Sequence, residues 1–107
     1  MNIRWLDDAL ADITEIYRYV ADDDPTAAAR VVARIQAAVR LLQDAPHCGR
    51  PGRWPGTREL VVSRTRCIVP YRVAGDLIEI LRLSWLAPLA AGAAELALSP
   101  YDLTLLS

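Results

Sequence analysis

The sequence predicts an α+β domain: an N-terminal strand, an antiparallel two-helix hairpin, and a mainly antiparallel sheet with three C-terminal strands. Three observations predict it. Two adjoining segments within residues 7–44 carry apolar residues at spacings of three and four, the period of a helix face. Three β-rich runs between residues 58 and 83 are separated by tight turns, which join antiparallel neighbours. The chain has 107 residues, the length of one domain.

Each element has a local reason. Asn2–Trp5 reads as the first strand. Asp7 or Asp8 then offers a side-chain oxygen to cap a helix. Leu6, Leu10, Ile13, Tyr17 and Val20 recur at helical spacing and are expected to be its buried face. Asp22-Asp23-Asp24-Pro25 ends this helix and begins the next. Asp24 is placed to cap, and Pro25 suits the first helical position, where a backbone N–H has no partner anyway. From 26 to 43, Ala28, Val31, Ile35, Val39 and Leu42 form one stripe, with Arg30, Arg34 and Arg40 off it. Ala45-Pro46 stops the helix. So short a connection makes the two helices antiparallel.

Residues 46–57 hold three prolines and three glycines and are expected to form a loop. Strands are expected at Arg58–Ser63, Arg66–Val73 and Leu77–Leu83, with turns at Arg64-Thr65 and Ala74-Gly75-Asp76. Pro70 cannot donate to a ladder, which predicts a bulge or an unpaired position there. Leu86–Leu98 reads as a short helix interrupted by Pro88 and Gly92. Its apolar surface is expected to cover the sheet in cis or to form a homodimer contact, with disorder as the alternative.

Composition excludes several chemistries. All 12 basic residues are arginine, so a lysine Schiff base or a P-loop lysine is impossible. One histidine, His47, and two cysteines cannot close a four-ligand zinc site. No metal or cofactor is expected. The N-terminus has no apolar leader region, and Trp85–Leu98 is shorter than the roughly 20 residues a membrane span needs. The chain therefore reads as cytoplasmic, without membrane association, and Cys48 and Cys67 as free thiols.

The net charge of −1 hides an asymmetry. Residues 1–24 carry seven acids and two arginines, whereas residues 50–82 carry seven arginines and three acids. Either the arginines pair with the N-terminal acids, or they present a surface to phosphates or an acidic partner.

Four runs carry a resemblance. They are Gly49-Arg50-Pro51-Gly52-Arg53, Gly56-Thr57-Arg58-Glu59-Leu60-Val61-Val62, Ile68-Val69-Pro70-Tyr71-Arg72-Val73 and Ile78-Glu79-Ile80-Leu81-Arg82. With the helical hairpin and its Tyr17-Arg18-Tyr19-Val20-Ala21 segment, they make residues 3–83 similar to the RelE/ParE superfamily of bacterial toxins. The resemblance implies a toxin of a type II toxin–antitoxin pair, with residues 1–85 as the toxin domain and 86–107 as a divergent apolar tail. One branch cuts messenger RNA on the ribosome; the other, ParE-like, inhibits DNA gyrase. In both, a cognate antitoxin wraps the toxin, and operator DNA is met through the antitoxin.

Ribosome-dependent RNA cleavage, the first expectation, needs a proton acceptor for the 2′-OH, cations for the phosphorane and a proton donor for the leaving oxygen. By resemblance, Arg58 and Arg82 match family arginines and would stabilise the phosphate. Glu59 or Tyr71 would move protons, although Glu59 alternates with Arg58 and so faces the other side of a flat strand. Glu59 equally reads as a surface ion-pair residue, and Tyr71 as packing against a helix. Arg50, Arg53, Trp54, Arg64 and Arg72 are candidates for binding target or antitoxin, through phosphate forks and base or groove stacking. Relatives continue from the last strand with a Leu-His pair and a basic end. Here Leu83-Ser84-Trp85-Leu86 and an alanine-rich tail stand instead, so the usual acid/base histidine is missing. That departure supports two alternatives: a non-enzymatic gyrase inhibitor, or an attenuated module that only binds antitoxin.

Overall fold

The computed structural model describes residues 1–86. The short helix expected after Leu86, and whatever it covers, lie outside the described residues.

The elements run β1 (Asn2–Trp5), α1 (Asp7–Ala21), α2 (Pro25–Arg40), a 3-10 turn (Leu41–Gln43), β2 (Arg50–Pro51), β3 (Arg58–Val61), β4 (Cys67–Ala74), β5 (Leu77–Ile80) and β6 (Ser84–Trp85). The sheet order is β1-β5-β4-β3-β2, and β6 pairs with β4. Every pairing is antiparallel except β1 with β5. The parallel pair is allowed because two helices and three strands intervene, ample chain for a crossover.

Period-2 alternation assigns the two faces of the sheet. Cys67, Val69, Tyr71 and Val73 of β4 join the core under the helices, with Leu60 of β3 and Ile78 and Ile80 of β5. Pro70 and Arg72 point to the other face, across from Glu59 and Glu79. From the helices, Ile35, Val39 and Leu42 are fully buried, and the whole predicted α2 stripe lies on the core side. Asp24 caps α2 as expected, accepting from Thr26 and Ala27 N–H at 3.1 Å each.

Helix α1 is rotated relative to expectation. Ala9 and Ile16 are buried, with Ile13 and Val20 packed beside them. Leu10 and Tyr17, expected inside, are 50% and 43% exposed. The small Ala9 side chain lets the helix approach the core closely, so the largest apolar residues lie on the flank. Asp7 and Asp8 do not cap; Leu6 holds that position without a side-chain bond. Its N–H donates to Ile80 O at 3.0 Å, which keeps residue 6 extended beside β5 and places both acids in the first turn. There they complement the positive end of the helix dipole.

Pro70 produces the expected bulge. Tyr71 pairs with Ile80 and Ile68 with Ser84, so Leu81, Arg82 and Leu83 face only Val69 and Pro70. Leu81 N–H still donates to Pro70 O at 3.0 Å, but proline has no N–H to return. The strand expected to run through Leu83 therefore breaks into β5 and β6. The other two strands are also shifted or shortened at their ends, and residues 46–57 contain one short strand, β2, not foreseen. The Arg64 turn closes with φ 62°, a left-handed backbone uncommon for a side-chain-bearing residue.

The corrected α1 face makes a prediction. Ala9→Leu should destabilise the protein by about 1–3 kcal/mol through overpacking, while Leu10→Ala should change stability by no more than about 0.5 kcal/mol. Equilibrium urea denaturation measures both; equal effects would restore the original face.

Candidate functional site

The four candidate chemical residues separate onto two faces. Arg58 and Tyr71 are direct cross-strand partners on the helix face. Glu59, beside Arg58 in sequence, lies on the other face next to Pro70, as the alternation predicts. Arg82 stands on the bulge between β5 and β6.

Tyr71 is fully buried. Its hydroxyl donates to Pro46 O at 2.8 Å and accepts from Gly49 N–H at 3.0 Å. Burial pushes its phenol above the usual range, with the Gly49 N–H and Arg58 opposing that and nearby Cys48 reinforcing it. The phenol therefore stays protonated and committed to the loop. A Cβ at Gly49 would stand 2.7 Å from the Tyr71 ring and 2.9 Å from Glu59 O, so only glycine fits there. Arg58 Nη1 donates to Gly49 O at 2.8 Å and His47 O at 3.2 Å. Together Tyr71 and Arg58 pin residues 46–49 against the sheet edge.

A cleft of about 470 Å³ lies over Glu59 and Pro70. Arg53, Trp54, Arg82, Ser84 and Trp85 are among its walls. Glu59 is 6% exposed and accepts from Arg50 Nε at 3.2 Å. Arg53 stacks over the Trp54 ring with 5.0 Å to its centroid, and Trp54 is 61% exposed. Trp54 thus stands at the rim of the cleft, outside the core. Trp85 Nε1 is buried without a partner among the described residues, as is Arg50 Nη2.

Arg82 is tied to α1. Asp12 Oδ2 accepts from Arg82 Nε at 3.1 Å and from Leu83 N–H at 3.0 Å, while Oδ1 accepts from Arg82 Nη2 at 3.1 Å. One carboxylate thus holds both the guanidinium and the bulge backbone. Partial burial pushes Asp12 up, but the bond from Arg82, the Leu83 N–H and the Arg82 charge together hold it below the usual carboxylate range. Sequence reasoning missed Asp12. No signal along the chain singles it out, because the Ala9 face beside it is set only by the fold.

The remaining candidates are dispersed. Arg72 pairs with Glu79 at 2.6 Å on the open sheet face. Arg64 sits at the β3–β4 turn, where its carbonyl meets Arg34 Nη1 at 3.5 Å. Of the expected pairings with N-terminal acids, Arg82–Asp12 forms; Arg50 and Arg72 find carboxylates within the basic half itself. Cys67 is buried, and burial with the nearby Asp12 charge pushes its thiol up to about 12, so it is inert. Among the described residues no group of three or more His, Cys, Asp or Glu side chains could hold a metal. No helix among them is long and apolar enough to cross a membrane.

The sequence and fold match known toxins. The profile of the family described as ParE toxin of the type II toxin–antitoxin system parDE matches residues 3–84. The candidate toxin Y4kP of Sinorhizobium fredii is 53% identical over 80 residues, covering 75% of this chain and 82% of that protein. Toxin RelE2 of Caulobacter vibrioides is 36% identical over 82 residues, covering 77% of this chain and 91% of its own. A chain of the chromosomal ParDE toxin–antitoxin system from P. aeruginosa superposes with a TM-score of 0.73 at 36% identity. That superposition covers 81% of this chain and 97% of that one.

Two predictions follow from the anchored geometry. Tyr71→Phe leaves the Pro46 carbonyl and the Gly49 N–H without their partner, so it should cost about 1–3 kcal/mol in denaturant unfolding. A wild-type midpoint in the Phe variant would remove the anchor. The depressed Asp12 carboxyl stabilises the fold above its unfolded pKa of about 4, and that contribution is lost as pH falls through the lower folded value. Asp12→Asn should therefore flatten the acid limb of the stability–pH curve; an unchanged limb would mean the carboxylate is not coupled to folding.

Proposed function

The chain belongs to the ParE toxin family, and on that premise we propose that it acts as a non-enzymatic inhibitor of DNA gyrase and not as a messenger RNA nuclease. It is the toxin component of a type II toxin–antitoxin system. Its partner is a cognate antitoxin, in keeping with the ParDE system it resembles. Operator DNA is reached through that antitoxin, and the protein works in the cytoplasm. Residues 1–85 form the toxin unit and 86–107 a divergent tail.

One observation carries the choice of target: the groups that RNA cleavage would require do not converge. Arg58 and Tyr71 hold the 46–49 loop on one face. Glu59 and Arg82 share the cleft, but each is already paired with an opposite charge, Arg50 and Asp12. A 2′-OH attack needs a free proton acceptor and a proton donor within reach of one phosphate. An arginine fills either role poorly, since its pKa exceeds ~12. Inhibition by binding needs only a shaped surface, which the Arg53–Trp54 rim and Trp85 wall provide. Ribosome-dependent cleavage stays as the second reading on one ground, the identity to a protein named RelE2.

Purified full-length protein should block gyrase supercoiling and leave messenger RNA intact on translating ribosomes. Trp54→Ala should weaken the supercoiling block at least ~10-fold, as loss of an exposed aromatic anchor does at a hot spot. Ribosome-dependent cleavage that disappears in Arg82→Ala would overturn the proposal. Neither activity, with antitoxin binding retained, would identify an attenuated module.

A further inference from the structure

Arg58 differs from three other arginines of the sheet and its bulge. Arg50, Arg72 and Arg82 each contact a carboxylate within 3.2 Å. Arg58, half-buried, contacts none among the described residues; only Nη1 is engaged, by the carbonyls of Gly49 and His47. Its Nε and Nη2 have no partner among the described residues. These two N–H groups form one edge of the guanidinium fork, the edge that meets a carboxylate side-on. The two carbonyl bonds on Nη1 fix the orientation of that edge before anything binds. A partly desolvated charge without a counter-charge is unfavourable, and a carboxylate from outside would relieve it.

The space to receive one is present. A cleft of about 300 Å³ is lined by Arg58, His47, Pro51, Gly56, Thr57 and Val73. It is distinct from the Glu59–Arg82 cleft, since Arg58 lies on the opposite face of β3 from Glu59. Pro51 and Val73 supply apolar walls for the methylenes of an acidic side chain. No second arginine lines it, so a phosphate dianion would meet one fork only. The chain's net charge of −1 adds no general attraction for polyphosphates.

We infer that the Arg58 cleft is a carboxylate-recognition site that takes an Asp or Glu side chain of a partner polypeptide. The inference rests on the protein having a polypeptide partner, as the antitoxin reading requires, and is independent of whether gyrase is the target. Arg58 then has two roles: Nη1 fastens the loop, and the opposite edge anchors the partner.

The test uses the full chain, with arginine Nε–Hε signals followed by NMR. The probes are Ac-Leu-Glu-Leu-NH2, Ac-Leu-Gln-Leu-NH2 and inorganic phosphate. The glutamate peptide should shift the Arg58 signal at a concentration at least ~10-fold lower than the glutamine peptide, about 1.4 kcal/mol of discrimination. Substituting Arg58 itself risks the loop, so Gly56 provides the variant pair. A Cβ at Gly56 meets nothing within 4 Å, and its φ of +79° is one that Asp and Asn tolerate better than other side chains. Gly56→Asp places a competing carboxylate on the cleft wall, and Gly56→Asn makes the same backbone change without charge. Gly56→Asp should weaken glutamate-peptide binding at least ~10-fold relative to Gly56→Asn. Equal response to the two peptides, an Arg58 shift no stronger than that of exposed Arg53, tighter binding of phosphate, or identical behaviour of the two Gly56 variants would each overturn the inference. Because the readout is peptide binding, its failure would leave the gyrase assay unaffected.

Discussion

The Tyr71 hydroxyl, buried at the centre of the sheet, donates to Pro46 O and accepts from Gly49 N–H. A loop rich in proline and glycine has few regular hydrogen bonds of its own, so something external must fix its path. Tyr71 does so from β4, with Arg58 of β3 bonding the next carbonyls. Once residues 46–49 are held, Arg50 reaches Glu59, and β2 pairs with β3. The chain then turns through Gly52 and Gly56 and delivers Arg53 and Trp54 to the cleft rim. Two clefts on opposite faces of one strand thus depend on one phenol and on the absence of a side chain at Gly49.

The arginine-rich half of the chain is less basic in space than in sequence. Three of its seven arginines spend their charge locally: Arg50 on Glu59, Arg72 on Glu79 and Arg82 on Asp12. The three carboxylates are mostly buried, and the pairs weaken the field that would attract a nucleic acid. Two of the other four are held in defined settings. Arg53 is presented on an indole, and Arg58 keeps one edge of its fork without a carboxylate among the described residues. Arginine suits both tasks better than lysine would, because a planar fork can hold a carbonyl on one side and still present an ordered edge on the other.

Much of the fold was legible because its signals were local. The α2 stripe, the Asp24–Pro25 start and the turns at Arg64 and Gly75 each follow from a few neighbouring residues. Helix α1 was misread because weight was given to Leu10 and Tyr17, whereas Ala9 sets the closest approach to the core. Small residues carry little hydrophobic signal yet decide how near a helix can lie. The opposition of Arg58 and Glu59 was legible from strand alternation. The Asp12 contact with Arg82 and Leu83 was not, since nothing along the chain indicates which acid will meet a residue seventy positions away. The break between β5 and β6 was partly legible: Pro70 predicted a disturbance, but the strand that yields is its neighbour.

The parallel pairing of β1 with β5 has a temporal consequence. Asn2–Trp5, the first strand made, has its ladder partner in Leu77–Ile80. Asp12, also made early, waits for Arg82 and Leu83. Contacts between segments so far apart in sequence form late in folding, after the local hairpins and the helical pair. During synthesis Asn2–Trp5 therefore has no ladder partner until Leu77–Ile80 have been made. The bulge is fastened only once Arg82 and Leu83 have been made. A growing chain holds the helices early, but it fastens the bulge to them only after β3, β4 and β5 have been made.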